Sequence, residues 1–238
     1  MKTARLLIFL AVIILLIDLA YFYPKLTGKT IGYEREKVNV TRIIDGDTIE
    51  TDIGTIRMLG INAPEKKQAY YEEAKEFLKQ YEGKEVGIEK TKEDKDKYDR
   101  FLRYTFYNNK LINEEILKQG LANLYVYGED KYTKTLENAE KEARQEEKGI
   151  WKKSSNFGCI EIAELKYTEE ERCNNEEQLI LENKCGNLSV TLKDSANHIY
   201  KINLEKGSFE KNFSCVWNDD GDAMSIWDDK GLIVYYTY

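Results

Sequence analysis

Three short segments of this 238-residue chain carry side chains that can do chemistry together. Asp45-Gly46-Asp47-Thr48 reads as a tight turn bearing two carboxylates and a hydroxyl, with Arg57 on the strand that follows and Asn62 and Glu65 where that strand runs out. Asp96-Lys97-Tyr98-Asp99-Arg100 adds a second arginine with an aromatic neighbour. Hard oxygen ligands on loops suit Ca2+ or Mg2+, and a carboxylate beside such an ion can orient or deprotonate a water. An arginine fork can hold a phosphate and stabilise the charge of a five-coordinate phosphorus. Metal-assisted hydrolysis of a phosphoester is therefore within reach of this set. The competing reading is structural, because Asp-Gly-Asp is a turn signal and charge runs usually face water. The single histidine, His198, is remote from these segments, which excludes Ser-His-Asp, Cys-His and multi-histidine mechanisms built on them.

The elements that must position these residues follow from the periodicity. Residues 38–61 alternate in strand fashion around the turns at 45–47 and 52–54, which predicts a β-meander closed by Pro64. From Gln68 the spacing Ala74, Phe77, Leu78, Tyr81 predicts an amphipathic helix ending at Gly83. Short strands are predicted over 86–90 and 101–107. Asn113 is the expected N-cap of a short helix stopping at Gly120, and Thr133 that of a longer one with Leu136, Ala139 and Ala143 on one face. Strands, helix, strands, helices is an α+β order. After Trp151 and a polar stretch at 152–156, six strands are predicted at 159–165, 178–183, 188–193, 199–204, 223–227 and 232–238, an all-β sandwich pattern.

The ends of the chain set its expected location. Lys2 and Arg5 precede an apolar run over 6–17 that resumes after Asp18 through Tyr23. That length makes roughly 27 Å of helix at about 1.5 Å per residue, close to a hydrocarbon core of about 30 Å. Residues 1–24 are therefore expected to be an uncleaved anchor or a removed signal, followed by a linker at 25–37. Basic residues ahead of the run predict the N-terminus inside and everything after residue 25 outside the cell membrane, or secretion if the segment is cleaved. The four cysteines, Cys159, Cys173, Cys185 and Cys215, lack Cys-x-x-Cys spacing and predict two disulfides in any of three pairings. The net charge of −7 is uneven. Residues 38–153 hold 22 basic and 24 acidic groups, whereas 154–238 hold 8 and 16, so the C-terminal region reads as a poor nonspecific binder of nucleic acid.

Taken in order, Ile44-Asp45-Gly46-Asp47-Thr48, Arg57-Met58-Leu59-Gly60-Ile61-Asn62-Ala63-Pro64-Glu65, Asp96 through Leu102, Gly120-Leu121-Ala122 and Gly149-Ile150-Trp151 resemble the staphylococcal (thermonuclease) nuclease family. The resemblance covers residues 38–153. It implies an OB-type five-stranded barrel with three helices and Ca2+-dependent hydrolysis of DNA and RNA phosphodiesters that leaves 3′-phosphate ends. Carried over by position, Asp47, Asn62 and the carbonyl of Ala63 are the metal ligands, with Asp45 behind them. Glu65 is the general base, and Arg57 with Arg100 holds the scissile phosphate. Lys97, Tyr98, Tyr125 and Tyr127 fall where the family contacts nucleotide, although the tyrosines also suit packing at the barrel edge.

Two residues depart from the family pattern. Asn62 replaces a metal-binding aspartate, which removes one negative charge and weakens the expected affinity for Ca2+. Asp99 replaces a glycine before Arg100, which changes how that arginine is presented. Residues 159–238 resemble the lamin-tail domain, an immunoglobulin-like sandwich, through Glu177–Asn183, the Leu192-Lys193-Asp194 stretch, Trp217–Asp222 and Asp228–Leu232. That resemblance implies binding or positioning, with a cell-envelope ligand as one candidate partner. Asp219, Asp220 and Asp222 read as turn formers more readily than as a Ca2+ loop. The expected function is an exported or membrane-anchored nuclease. The alternatives are a catalytically silent nucleic-acid- or protein-binding module at the cell surface, and a structural envelope protein.

Overall fold

The structure is a computed structural model, and it describes residue 13 and residues 35–126, 128–166, 177–194, 198–214, 216–217 and 223–237. Apart from Ile13, the expected membrane segment lies outside the described residues, as do Tyr127, Cys173, Cys215, Asp219, Asp220 and Asp222. Among the described residues no helix is long and apolar enough to cross a membrane. Contacts divide the chain into Met1–Glu36 and Lys37–Tyr238, and apart from Glu36 the second unit holds every element treated below.

The meander forms β1 (Glu36–Ile43), β2 (Thr48–Thr51), β3 (Gly54–Met58) and the short β4 (Gly60–Asn62). Helix α1 (Tyr71–Lys79) buries Ala74 and Leu78, one turn apart on its inner face. Next come β5 (Glu85–Lys95), β6 (Phe101–Tyr107), β7 (Lys110–Leu111), α2 (Ile112–Lys118), β8 (Asn123–Tyr125) and α3 (Thr133–Gln145). The sheet order β3-β2-β1-β5-β6-β7 is closed by parallel pairing of β3 with β6, which makes a five-stranded barrel of β1, β2, β3, β5 and β6 with three helices. Ile43, Ile49, Ile56, Met58, Ile88 and Phe106 fill its interior, as inward alternation requires.

Two expected caps are corrected. Asn113 lies inside α2, wholly buried, with Oδ1 accepting from the backbone N–H and hydroxyl of Thr105 (both 3.0 Å) and Nδ2 donating to the Leu59 carbonyl (2.7 Å). It ties the helix to β6 and to the chain between β3 and β4, because a buried amide needs partners wherever it can find them. Thr133 is the first residue of α3, and the cap is supplied by Asp130, whose Oδ1 accepts from the N–H groups of Tyr132 (2.8 Å) and Thr133 (3.1 Å).

Among its described residues the C-terminal region has seven strands where six are expected: β9 (Ile160–Lys166), β10 (Glu177–Asn183), β11 (Leu188–Asp194), β12 (Ile199–Leu204), β13 (Gly207–Phe213), β14 (Ala223–Trp227) and β15 (Leu232–Thr237). The extra strand, β13, is an edge strand whose residues are mostly polar, so hydropathy does not mark it. The sheets β13-β10-β9 and β12-β11-β14-β15 share one core, including Leu179, Leu181, Leu192, Met224 and Ile226, and so form a sandwich. A disulfide joins Cys159 to Cys185.

Barrel and sandwich are fastened together. Trp151, 1% exposed, packs with Ala143, Ile150 and Leu232, and its ring meets that of Tyr235 edge-on at 5.3 Å. Trp227 Nε1 donates to the Ile150 carbonyl (3.0 Å). The polar stretch after Trp151 is bonded to β15 through Leu232 N to Lys152 O and Ser154 N to Leu232 O, both 2.9 Å. Asp228 accepts from Ser154 Oγ (2.7 Å) and Asn156 Nδ2 (2.8 Å).

Candidate active site

The Asp-Gly-Asp turn links β1 to β2, with the N–H groups of Ile44 and Asp45 both reaching the Thr48 carbonyl (3.1 and 3.2 Å). Gly46 is required there by space. A Cβ at that position would stand 2.6 Å from the Cβ atoms of both Ala63 and Ala74, so only a bare backbone lets the tip press against β4's exit and α1. Asp45 Oδ1 accepts the N–H of Asp47 (3.1 Å). Burial, reinforced by the neighbouring charge of Asp47, pushes the Asp45 carboxyl up to about 6.

Asp47 is the hub. Its Oδ1 accepts from Thr48 Oγ1 (2.9 Å), and its Oδ2 accepts the Ala63 N–H (2.8 Å) and pairs with Arg57 Nη2 (3.2 Å). That same nitrogen donates to Asn62 Oδ1 (3.2 Å), while Nη1 donates to the carbonyls of Met58 (2.6 Å) and Ile61 (2.8 Å). Asp47, Arg57, Asn62 and Ala63 therefore converge. Glu65 begins the following loop with an exposed side chain, and its backbone is clasped to Gln68 by Glu65 N to Gln68 Oε1 and Gln68 N to Glu65 O, both 2.9 Å.

Arg100 takes its partners outside this cluster. Strand register sets Arg57 opposite Leu102, and Arg100 lies two residues earlier, just before β6 begins, where its Nε and Nη2 both bind Asp96 Oδ2 at 2.7 Å. Asp99 takes the left-handed conformation (φ 65°), a backbone state suited to glycine that aspartate also tolerates, so the departure from the family pattern preserves the turn. Tyr98 is exposed, with the Lys97 ammonium and Arg100 guanidinium 5.1 and 5.4 Å from its ring centre. Tyr125 is half-buried on β8, opposite Gly60.

One charged group at the site comes from the sandwich. Lys193 on β11 is 5% exposed, and its ammonium donates to Asn123 Oδ1 (3.2 Å), the residue that pairs with Asn62 across β4 and β8. Burial pulls this lysine down to about 8; Asp47, Glu65 and Asp194 work against the shift, and Arg57 adds to it. Sequence reasoning misses it, because alternation along β11 places Lys193 on the outward face beside Ser189 and Thr191, and only the docked barrel buries that face. The one available signal is the Leu192-Lys193-Asp194 stretch itself, which is silent about its partner.

The donor set suits a hard divalent cation in kind. Two oxygens, Asp47 Oδ2 and Asn62 Oδ1, already converge on one positively charged nitrogen, and Ala63 offers a carbonyl. It is modest in charge, with one carboxylate, one amide and one carbonyl, and among the described residues no three His, Cys, Asp or Glu side chains gather to hold a metal.

The family model described as staphylococcal nuclease homologue matches residues 55–153. The thermonuclease of Staphylococcus hyicus is 36% identical over 124 residues, covering 47% of this chain and 73% of that protein. This chain belongs to the staphylococcal nuclease homologues. The thermonuclease of Staphylococcus intermedius is 35% identical over 130 residues, half of this chain and 77% of its own length. Endonuclease YncB of Bacillus subtilis is 38% identical over 138 residues, 51% of this chain and 65% of that protein. The part of the chain matched by the staphylococcal nuclease model contains Arg57, Asn62, Ala63, Glu65 and Arg100 and stops before the sandwich.

Proposed function

We propose that this chain is a Ca2+-dependent nuclease that hydrolyses phosphodiester bonds of DNA and RNA. The observation that carries the reading is the convergence of Asp47, Arg57, Asn62 and Ala63 beside Glu65 in a family whose relatives are a thermonuclease and an endonuclease by name. Asp47, Asn62 and the Ala63 carbonyl would hold Ca2+, which when bound supplies Lewis-acid charge at the phosphate and at the attacking water. Glu65, the exposed carboxylate next to the cluster, accepts a proton from that water as its oxygen forms a bond to phosphorus. Arg57 has no partner for Nε among the described residues and directs that donor at the phosphate, while its two other nitrogens hold Asp47, Asn62 and the backbone. Arg100 stabilises the five-coordinate charge after exchanging Asp96 for a phosphate oxygen. The bond from phosphorus to the 5′ oxygen breaks, that oxygen takes a proton, and a 3′-phosphate and a 5′-hydroxyl result. Lys97, Tyr98 and Tyr125 flank the path of the nucleotide, with Tyr127 as a further candidate from the sequence.

An exported or membrane-anchored location is part of the same proposal, supported by the apolar N-terminal run and by the Cys159–Cys185 disulfide, a bond that persists in oxidising surroundings. The lamin-tail resemblance of the sandwich belongs to it as well. The deciding experiment is digestion of single-stranded DNA and RNA by the full chain in Ca2+ and in chelator. Glu65→Gln should lower turnover by about 10²–10⁴-fold with the fold retained. Unchanged turnover rejects Glu65 as the base, and binding without cleavage by the parent chain leaves a nucleic-acid-binding module.

A further inference from the structure

The face of the sandwich that meets the barrel is more basic than its composition suggests. A cleft of about 1010 Å³ runs between the loop after Glu65 and the β12-β11-β14 face. Five lysines line it: Lys66 and Lys67 from the barrel, and Lys193, Lys201 and Lys230 from the sandwich. Glu73, Asp228 and Asp229 are its carboxylates, and Asp228 is already engaged by Ser154, Asn156 and the N–H groups of Lys230 and Gly231. Three of the eight basic residues beyond residue 153 thus collect on this one wall, in a segment that carries 16 acidic ones. Lys193 is the buried one of the five. Its ammonium has three N–H donors, and among the described residues only one is used, on a neutral amide. Asp47, Glu65 and Asp194 attract this ammonium without a hydrogen bond to it, so two of its donors are left for an anion.

We infer that the sandwich supplies half of the substrate-binding surface: Lys193 binds a phosphodiester oxygen at the barrel's site, and the lysine-lined cleft carries the nucleic-acid strand that leads to it. The inference rests on the nuclease reading of that site. Register supports the geometry, since Thr191 pairs with Lys201 and Lys193 with Ile199, which sets both lysines on the same face of β11 and β12. The wall is also fixed, because Trp227, opposite Thr191 on β14, is hydrogen-bonded to the barrel at Ile150. An ammonium held in this way presents its charge without first being ordered.

The test is equilibrium binding of a short fluorescein-labelled single-stranded DNA to the full chain in chelator, by anisotropy over a range of salt, with hydrolysis measured separately in Ca2+. Lys193→Met should weaken binding roughly 10- to 100-fold, the effect of losing a hydrogen bond to a charged group, and reduce the salt slope by about 0.7. Lys193→Arg should keep most of the affinity. The double variant Lys201→Gln/Lys230→Gln, on exposed positions, should lower affinity and slope together, while Lys206→Gln, a single charge loss away from the cleft, changes neither. Parent-like or tighter binding by Lys193→Met, with its melting curve intact, overturns the inference and makes Lys193 a plug; an unchanged Lys201→Gln/Lys230→Gln double variant overturns the strand path even if Lys193→Met does not fold. If the parent binds DNA through these lysines but never cleaves it, the nuclease reading fails and the inference stands. If it cleaves and the lysine variants bind normally, the reverse holds.

Discussion

Barrel and sandwich each bury a positive charge at the same place, and they treat it differently. In the barrel, Arg57 spreads four hydrogen bonds or ion contacts over Asp47, Asn62 and two carbonyls, so its position is fixed by its own surroundings. In the sandwich, Lys193 is the more deeply buried of the two and hydrogen-bonds one neutral amide. The fold engages two of the three Arg57 nitrogens and leaves Nε for a ligand, whereas Lys193 spends one of its three N–H donors. The difference shows that the motif-bearing region can look self-sufficient while the region beyond it finishes the surface.

The most forceful way to break the comparison is to unfasten the two regions. Trp151→Ala removes the buried ring at their junction and should cost about 3–5 kcal/mol in denaturant unfolding, the usual range for such a truncation. One cooperative transition in the parent chain and two in the variant would sharpen the contrast; two transitions in both would dissolve it. Within the barrel, Asn62→Asp restores a carboxylate beside Asp47 and should tighten Ca2+ binding about tenfold, read by calorimetry without substrate. A weaker Ca2+ response would place residue 62 away from the cation.

The smallest effect concerns Lys193 alone. Its pKa lies at about 8 in the folded chain, below the ordinary lysine value of 10.5, so at pH 7 the fold carries a burial cost that the unfolded chain does not. Lys193→Met should therefore melt a few degrees higher than the parent at pH 7. As pH rises from about 8 towards 10.5 the unfolded parent binds more protons than the folded one, its stability gains on the variant, and the gap should narrow. Asp47, Glu65 and Asp194 attract this ammonium and Arg57 repels it, so a gap that stays constant with pH would mean that those carboxylates offset the burial.

Much of this was legible in the residues. Alternation over 38–61 marks the meander, and the spacing from Asp47 to Glu65 brings the cluster to one rim of the barrel, because turn chemistry and strand register are local. Less was legible where the deciding partner is distant in sequence. Asn113 has the residue type of a cap, but Thr105 and Leu59 claim its amide, and Asp130 does the capping assigned to Thr133. The polar edge strand β13 offers no hydropathy to read. Lys193 sits at a position that alternation gives to solvent, and burial there is a product of docking. Arg100 directly precedes the strand that pairs with β3, and its ion pair with Asp96 follows from a turn whose residue types do not specify it.

Gly46 carries a consequence for any attempt to re-engineer this centre. With no room for one added carbon between Ala63 and Ala74, the acidic tip, the segment after β4 and the first helix interlock like three pieces of a puzzle ring. Retuning the ion preference by reshaping the tip alone would jam the ring. The tolerant handles lie outside it, on the wall that faces the tip from the other half of the molecule.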